Sequence, residues 1–398
     1  MVDTITLEDG MLVTRTPITL ANGSTATHVS IPIVTSARVD TTDPANSAQI
    51  KVGLNQISLP LGFGLNAITS DLQTVANSAA AIKAAIDAGP ITHTTAENAY
   101  LTSYTHKYLS TLAADSQVNV TTFAPITGVQ APTAPLDVYF SGKIDAMVLD
   151  LSQTALGSTV RATASFTAVL GAGTVNMVGA GQFAIGDDAN QDFISPMRGG
   201  TVYAGGGDDS MSFGFGMARI DTLFHGGQGF DTLKLGSFSI IEQHAGYVII
   251  NGGHNVQLKL VNVERIEMNG QVIDITATTE QSAIATLYQN ILGRQADLTG
   301  FEYWDNQVKA GQSLGQVAIT MTRSTESGNS LFNGNTSHDL DTLYNVILKR
   351  PTDPVGKTYW SAQIDQGLQS LEQVAQGFVT SNELTAAYLP QTKWDFLV

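Results

Sequence analysis

Cysteine is absent from this 398-residue chain. That excludes disulfides and thiolate metal sites, and it leaves the redox compartment open, because a cysteine-free protein survives in any of them. Long apolar runs are missing as well. None approaches the roughly 18 residues that a membrane-spanning helix needs, so no membrane span is expected. The opening "MVDTITLEDG" has neither a basic leader nor an apolar signal core, so the chain is expected either to stay in the cytoplasm or to leave by a route without a cleaved leader. Basic residues are few: 19 Lys and Arg stand against 35 Asp and Glu, a net charge of −16. That balance argues against a nucleic-acid partner, whose phosphates it would repel, and it suits divalent cations. Charged residues of both signs make up only 14% of the chain, leaving a surface of Thr, Ser, Asn, Gln and Gly.

Catalytic signatures are missing too. There is no HExxH zinc motif and no GxSxG nucleophile elbow. The seven histidines, His28, His93, His106, His225, His244, His254 and His338, are scattered. His93 and His106 bracket Glu97 and read as helix-surface residues, and His225 reads as a turn residue. No enzymatic activity is expected, although a carboxylate pair of the glycosidase kind stays open.

The first stretch alternates polar and apolar residues and is punctuated by Asp9-Gly10 and Asn22-Gly23, two hairpin turn signals. A helix is expected near 70–88, capped by Ser70, with Leu72, Val75, Ala79, Ile82 and Ile86 as its stripe. A second is expected near 95–114, opened by the capping-box pair Thr94 and Glu97. The Pro-bearing "FAPITGVQAPTAPLD" reads as a domain boundary. Beyond it, short apolar pieces alternate with glycine turns, the pattern of a β-solenoid or sandwich.

Within that region "AGGGDDSMS" (Ala204 to Ser212) and "GGQGFDTLK" (Gly226 to Lys234) keep glycines, a carboxylate and an apolar residue at fixed offsets. Gly205, Gly207, Gly227 and Gly229 allow sharp turns that aim carbonyls inward. Asp208, Asp209 and Asp231 add carboxylates, and a degenerate segment between them supplies Asp221. Carbonyl and carboxylate oxygens at one turn are hard ligands of the kind calcium takes, so these eight residues form the candidate metal site.

"GGQGFDTLK" resembles the GGxGxDxUx nonapeptide of RTX calcium-binding β-rolls, and "AGGGDDSMS" departs from it only at Ala204. Two good copies imply one or two calcium ions. Farther on, "LYQNILGRQADLTGFEYWDNQVKAG" and "LYNVILKRPTDPVGKTYWSAQIDQG" match at a constant offset of 56, including Arg294/Arg350, Asp297/Asp353, Gly300/Gly356 and Trp304/Trp360. This duplicated unit resembles the helical domain of unknown function that closes many bacterial RTX-type secreted proteins, and its Tyr-Trp pairs read as core anchors. The terminal "WDFLV" resembles an uncleaved type I secretion signal. The resemblances cover about Thr201 to Leu384, plus the last residues.

The expected protein is multidomain and mainly β with α. It has a β-rich N-terminal region with two helices (1–125), a glycine-rich β-roll or β-solenoid-like centre (136–276), an α-helical C-terminal domain (279–390) and a secretion signal (391–398). The resemblance implies a calcium-stabilised extracellular or cell-surface structural protein of a Gram-negative bacterium: a surface-layer (S-layer), filament or biofilm-matrix subunit, or an adhesin. Its partners would be itself, in self-assembly, or a cell-surface component, together with the type I secretion machinery. A phage virion fibre or decoration protein, and a secreted hydrolase, are the alternatives.

Overall fold

The computed structural model describes residues 2–20, 23–38, 47–140, 144–195, 199–213, 222–236, 240–244, 247–252, 256–268, 270–328 and 331–386. They form two compact units. One comprises Met1–Glu242 with Ile249–Ile273, and the other Gln243–Val248 with Asp274–Val398.

The first unit is a mainly parallel β-solenoid with an antiparallel N-terminal cap. Alternating sequence at the start yields the strands Thr4–Glu8 and Met11–Thr19, joined at Asp9 (φ 44°) and Gly10 (φ 73°), the positive-φ pair of a two-residue hairpin. Of the second expected turn, Asn22 lies outside the described residues. Thr25–Ile31 and Phe63–Ser70 extend the antiparallel cap. From Gln117–Thr127 onward the sheet turns parallel and runs through Asp145–Asp150, Phe166–Leu170, Gln182–Gly186, Gly200–Gly206, Thr222–Gln228 and Val256–Val261. Between these strands the chain visits a second sheet of Leu136–Tyr139, Thr159–Ala162, Gly173–Met177, Gln191–Ser195, Ser210–Phe213, Thr232–Leu235 and Arg265–Met268. Each coil therefore contributes one strand to each sheet.

The expected boundary near 124–137 carries continuous structure instead. Gln117–Thr127 pairs with Phe63–Ser70 on one side and with Asp145–Asp150 on the other, so the N-terminal region and the glycine-rich region share one sheet and one unit. Proline is tolerated there because Pro125 sits in the antiparallel half of the strand, opposite Leu65.

Parallel pairing in register stacks like on like. Leu136, Val160, Val175, Phe193, Met211, Leu233 and Ile266 form one column of fully buried side chains along the second sheet. Met147, Thr167, Ala184, Val202, Phe224 and Leu260 form its counterpart on the first. The other face of the first sheet is also apolar, which explains the unbroken burial of Asp145–Asp150 and Phe166–Leu170. Two helices cover it. Val75–Asp87 presents Ile82 and Ile86, and Thr95–Leu109 presents Leu101, Tyr108 and Leu109. Tyr108 stacks on Phe166 with centroids 5.0 Å apart, and Tyr104 meets Tyr203 at 4.0 Å. The second helix starts as expected, with Thr94 and Glu97 in a reciprocal capping box. The first starts later than expected, with Thr74 at its N-cap position and no side-chain capping bond, because Ser70 is held in the strand Phe63–Ser70 opposite Ala26.

The second unit is helical and repeats its internal contacts. Asp297 and Asp353 cap the helices Leu298–Lys309 and Pro354–Asp365 by accepting from the Gly300 and Gly356 amides. Arg294 reaches Asp297 and Glu326 and lies over the Tyr288 ring; Arg350 repeats this with Asp353, Glu383 and Tyr344. Gly300 and Gly356 are required because the Tyr288 and Tyr344 hydroxyls occupy the space of a Cβ. The Tyr-Trp pairs only partly meet expectation. Trp304 and Trp360 are half-buried, whereas Tyr303 and Tyr359 are 54% and 53% exposed. Equivalent helices of the two copies, Leu314–Thr322 and Leu371–Val379, pack on each other, and the Gly315 amide donates to Gln376 Oε1 at 2.7 Å. Among the described residues, no helix is long and apolar enough to cross a membrane.

Candidate metal centre in the glycine-aspartate turns

The segments 186–191, 204–209 and 226–231 stack as successive turns on one side of the solenoid, each leading from the first sheet into the second. Gly227 (φ 107°) lies above Gly205, and Gly229 (φ 131°) above Gly207. A Cβ at either upper position would overlap the carbonyl oxygen of the glycine below. Glycine is required here twice over, by conformation and by the closeness of the next coil.

Parallel register then brings the acids into a column. The Gln191 amide donates to Asp209 Oδ1 at 2.7 Å, the Asp209 amide to Asp231 Oδ1 at 2.8 Å, and the Asp231 amide to Glu264 Oε2 at 2.7 Å. Each carboxylate thus binds the backbone of the preceding coil, and all three acids are buried, at 1% exposure or less. An outer column runs in the opposite sense. The Asp208 amide donates to Asn190 Oδ1, and the Phe230 amide to Asp208 Oδ1, at 2.9 and 2.8 Å.

Of the candidate site residues, the structure brings together Gly205, Gly207, Gly227, Gly229, Asp209 and Asp231. Asp208 is exposed and belongs to the outer column. Asp221 lies outside the described residues. Asp209 and Asp231 are direct neighbours on adjacent coils, 22 residues apart in sequence. Gln191 and Glu264 were missed. Their signal was present: "QDF", "DSM", "DTL" and "ERI" all place an inward apolar residue two positions after the column residue. Glu264 sits in a segment without glycines, which hid it. His225 is not a turn residue. It lies in the strand Thr222–Gln228, buried, with its ring 5.5 Å from Tyr203. Burial, with Lys107 nearby, pushes its pKa down to about 4, so it packs as a neutral aromatic.

Electrostatically the column is costly. Burial pushes the Asp209 pKa up to about 9, helped by Asp187, Asp192 and Asp208 and opposed by the Gln191 amide. The folded value lies above that of a free carboxyl, so ionisation of Asp209 opposes folding between the two values, neutral pH included. Its Oδ2 is buried without a hydrogen-bond partner. An unpartnered carboxylate oxygen with other acids nearby is a hard oxygen donor of the kind a divalent cation such as calcium takes, although among the described residues Asp209 and Asp231 are not part of a converged group of three metal-ligating side chains.

Comparison with known proteins bears on the other unit. Residues 275–331 and 333–388 each match the family described as "Domain of unknown function (DUF4214)", a duplicated helical domain found in RTX-type proteins. No curated protein and no solved structure matches the chain.

Two outcomes are expected. Gly227→Ala should lose more stability in urea unfolding than the roughly 1–2 kcal/mol of a left-handed residue alone, because strain and overlap add. Gly236→Ala, with open space around its Cβ, should change it by no more than about 0.5 kcal/mol. Asp209→Asn should melt at or above wild type in EGTA, since it keeps the acceptor and removes the group whose raised pKa opposes folding at neutral pH, yet below wild type in calcium. Melting curves that keep the same order in both buffers would contradict this assignment.

Proposed function

We propose that this chain is a non-enzymatic, calcium-stabilised extracellular structural protein of a Gram-negative bacterium, exported by type I secretion. It would serve as a subunit of a surface layer, filament or biofilm matrix, or as an adhesin. The observation that carries this reading is the buried acid column beneath the stacked glycine turns. Asp209 and Asp231, with the Gly205 and Gly207 carbonyls, would hold the ion, and calcium would supply charge neutralisation and no chemistry on a substrate. Calcium is scarce inside cells and abundant outside, so export of a loose chain that orders on arrival follows from the same electrostatics. The doubled DUF4214 match, in a domain that accompanies RTX-type proteins, supports the same setting.

Self-assembly draws support from the sheet edge. Thr4–Glu8 is the terminal strand of the larger sheet and pairs only with Met11–Thr19 among the described residues. Leu7 faces Leu12 in register, and Ile5, Leu7 and Leu12 are 64%, 72% and 58% exposed. Its one charge, Glu8, is paired with Arg15 of the neighbouring strand, and Ile5 and Leu7 present aliphatic side chains along the edge, features that favour strand addition by another copy. Calcium would also offset part of the net charge of −16 that keeps copies apart.

Light scattering and negative-stain microscopy across a calcium titration should show monomers in chelator and ordered filaments or sheets at millimolar calcium. Leu7→Lys should stay monomeric without loss of melting temperature. A wild-type monomer throughout would leave a monomeric adhesin as the role. For export, deleting Asp395 to Val398, which lie outside the described residues, should retain the protein in the cell; normal levels in the medium would remove the type I assignment.

A further inference from the structure

A second cluster lies where the helix Thr95–Leu109 begins above the solenoid. His93 precedes the helix, Glu97 stands in its first turn, and Asp187 comes from the turn 186–191 of the coil below. His93 Nε2 lies 3.8 Å from Glu97 Oε1 and 3.7 Å from Asp187 Oδ2, and the three atoms fall within 4.8 Å of one another. The side chains are 2%, 6% and 2% exposed.

Two features distinguish this cluster from an ordinary ion-pair network. Nε2 of His93 is buried and has no hydrogen-bond partner. Both carboxylates lie beyond the 3.2 Å or so of a hydrogen bond to it, so the imidazole is aimed at them without being bound by them. The carboxylates, by contrast, are fixed from behind. Glu97 Oε2 accepts from the Thr94 amide and Oε1 from the Asp188 amide, each at 3.0 Å. Asp187 Oδ2 accepts from the Gly171 amide at 2.7 Å, and Oδ1 from the Ala189 amide at 3.0 Å and from Gln191 Nε2 at 2.5 Å. Such outer hydrogen bonds orient metal-ligating carboxylates, and the two oxygens nearest His93, Glu97 Oε1 and Asp187 Oδ2, each accept one bond and keep a second lone pair.

We propose that His93, Glu97 and Asp187 bind a first-row divalent transition metal of the zinc class, pinning the helix to the solenoid. Zinc takes nitrogen at about 2.0–2.1 Å and carboxylate oxygen at about 2.0–2.2 Å, so ligands on one tetrahedral ion stand roughly 3.3 Å apart. The two separations from His93 Nε2, 3.8 and 3.7 Å, need to contract by only about 0.5 Å. One imidazole and two carboxylates leave a fourth position for water. The imidazole also sets the selectivity: borderline ions accept nitrogen and calcium prefers oxygen, so this site and the glycine turns would take different metals from the same medium.

The test uses the full chain, stripped with EDTA and returned to buffer with excess calcium. Titration with zinc chloride should show a single site, and zinc should raise the melting temperature above the value in calcium alone. His93→Gln should weaken zinc binding by more than about a hundredfold, since even outer-partner changes at metal sites cost 10–100-fold. His106→Ala, exposed near the far end of the helix Thr95–Leu109, should bind as wild type. Cobalt chloride added to the wild type should give the visible absorption of a low-coordinate nitrogen-oxygen site, a readout independent of how well any variant folds. Equal zinc affinity in wild type and a folded His93→Gln, displacement of zinc by excess calcium, or a cobalt spectrum of the hydrated ion would each overturn the proposal.

Discussion

The solenoid depends on one recurrent interaction, the backbone amide of one coil donating to a buried carboxylate of the next. Gln191, Asp209, Asp231 and Glu264 carry it through successive turns. Such a bond holds coils in register without a side-chain partner from the same coil. The cost is a row of acids away from water. Asp209 shows that cost directly, with its pKa driven far above that of a free carboxyl. A cation sharing that negative charge would stabilise the arrangement, which is the basis of the calcium dependence proposed above.

The glycines follow from the column. Bringing consecutive coils close enough for an amide to meet a carboxylate leaves no room for side chains where turn stands over turn, at Gly205 and Gly227 or Gly207 and Gly229. Two residues after each column position an apolar side chain enters the core, so Phe193, Met211, Leu233 and Ile266 stack above one another. The helices then close the outer face of the first sheet through Tyr104, Tyr108 and their neighbours. In the second unit a different economy operates. Arg294 and Arg350 each tie a capping aspartate, a glutamate and a tyrosine ring into one local cluster, so the residues that repeat at an offset of 56 are those that hold the repeat together.

Much of this was legible in the residues. Short strands between glycine turns announced the solenoid, Thr94 and Glu97 announced a helix start, and the matched positions announced the duplication. Three things were not. The proline-bearing segment looked like a boundary because local composition says nothing about a strand paired on both sides. Glu264 was hidden because only the coil-to-coil register places it above Asp231. Asp187 carries no sequence link to His93, 94 positions away; only the helix lying over the coil joins them.

Amide hydrogen exchange on the intact chain, in calcium and in EGTA, tests the central claim most directly. Calcium should slow exchange most at the amides of Gln191, Asp209 and Asp231, which donate into the acid column, and should leave the cap strands Thr25–Ile31 and Phe63–Ser70 nearly unchanged. Equal exchange at those three amides with and without calcium, or a uniform change across the chain, would contradict the account.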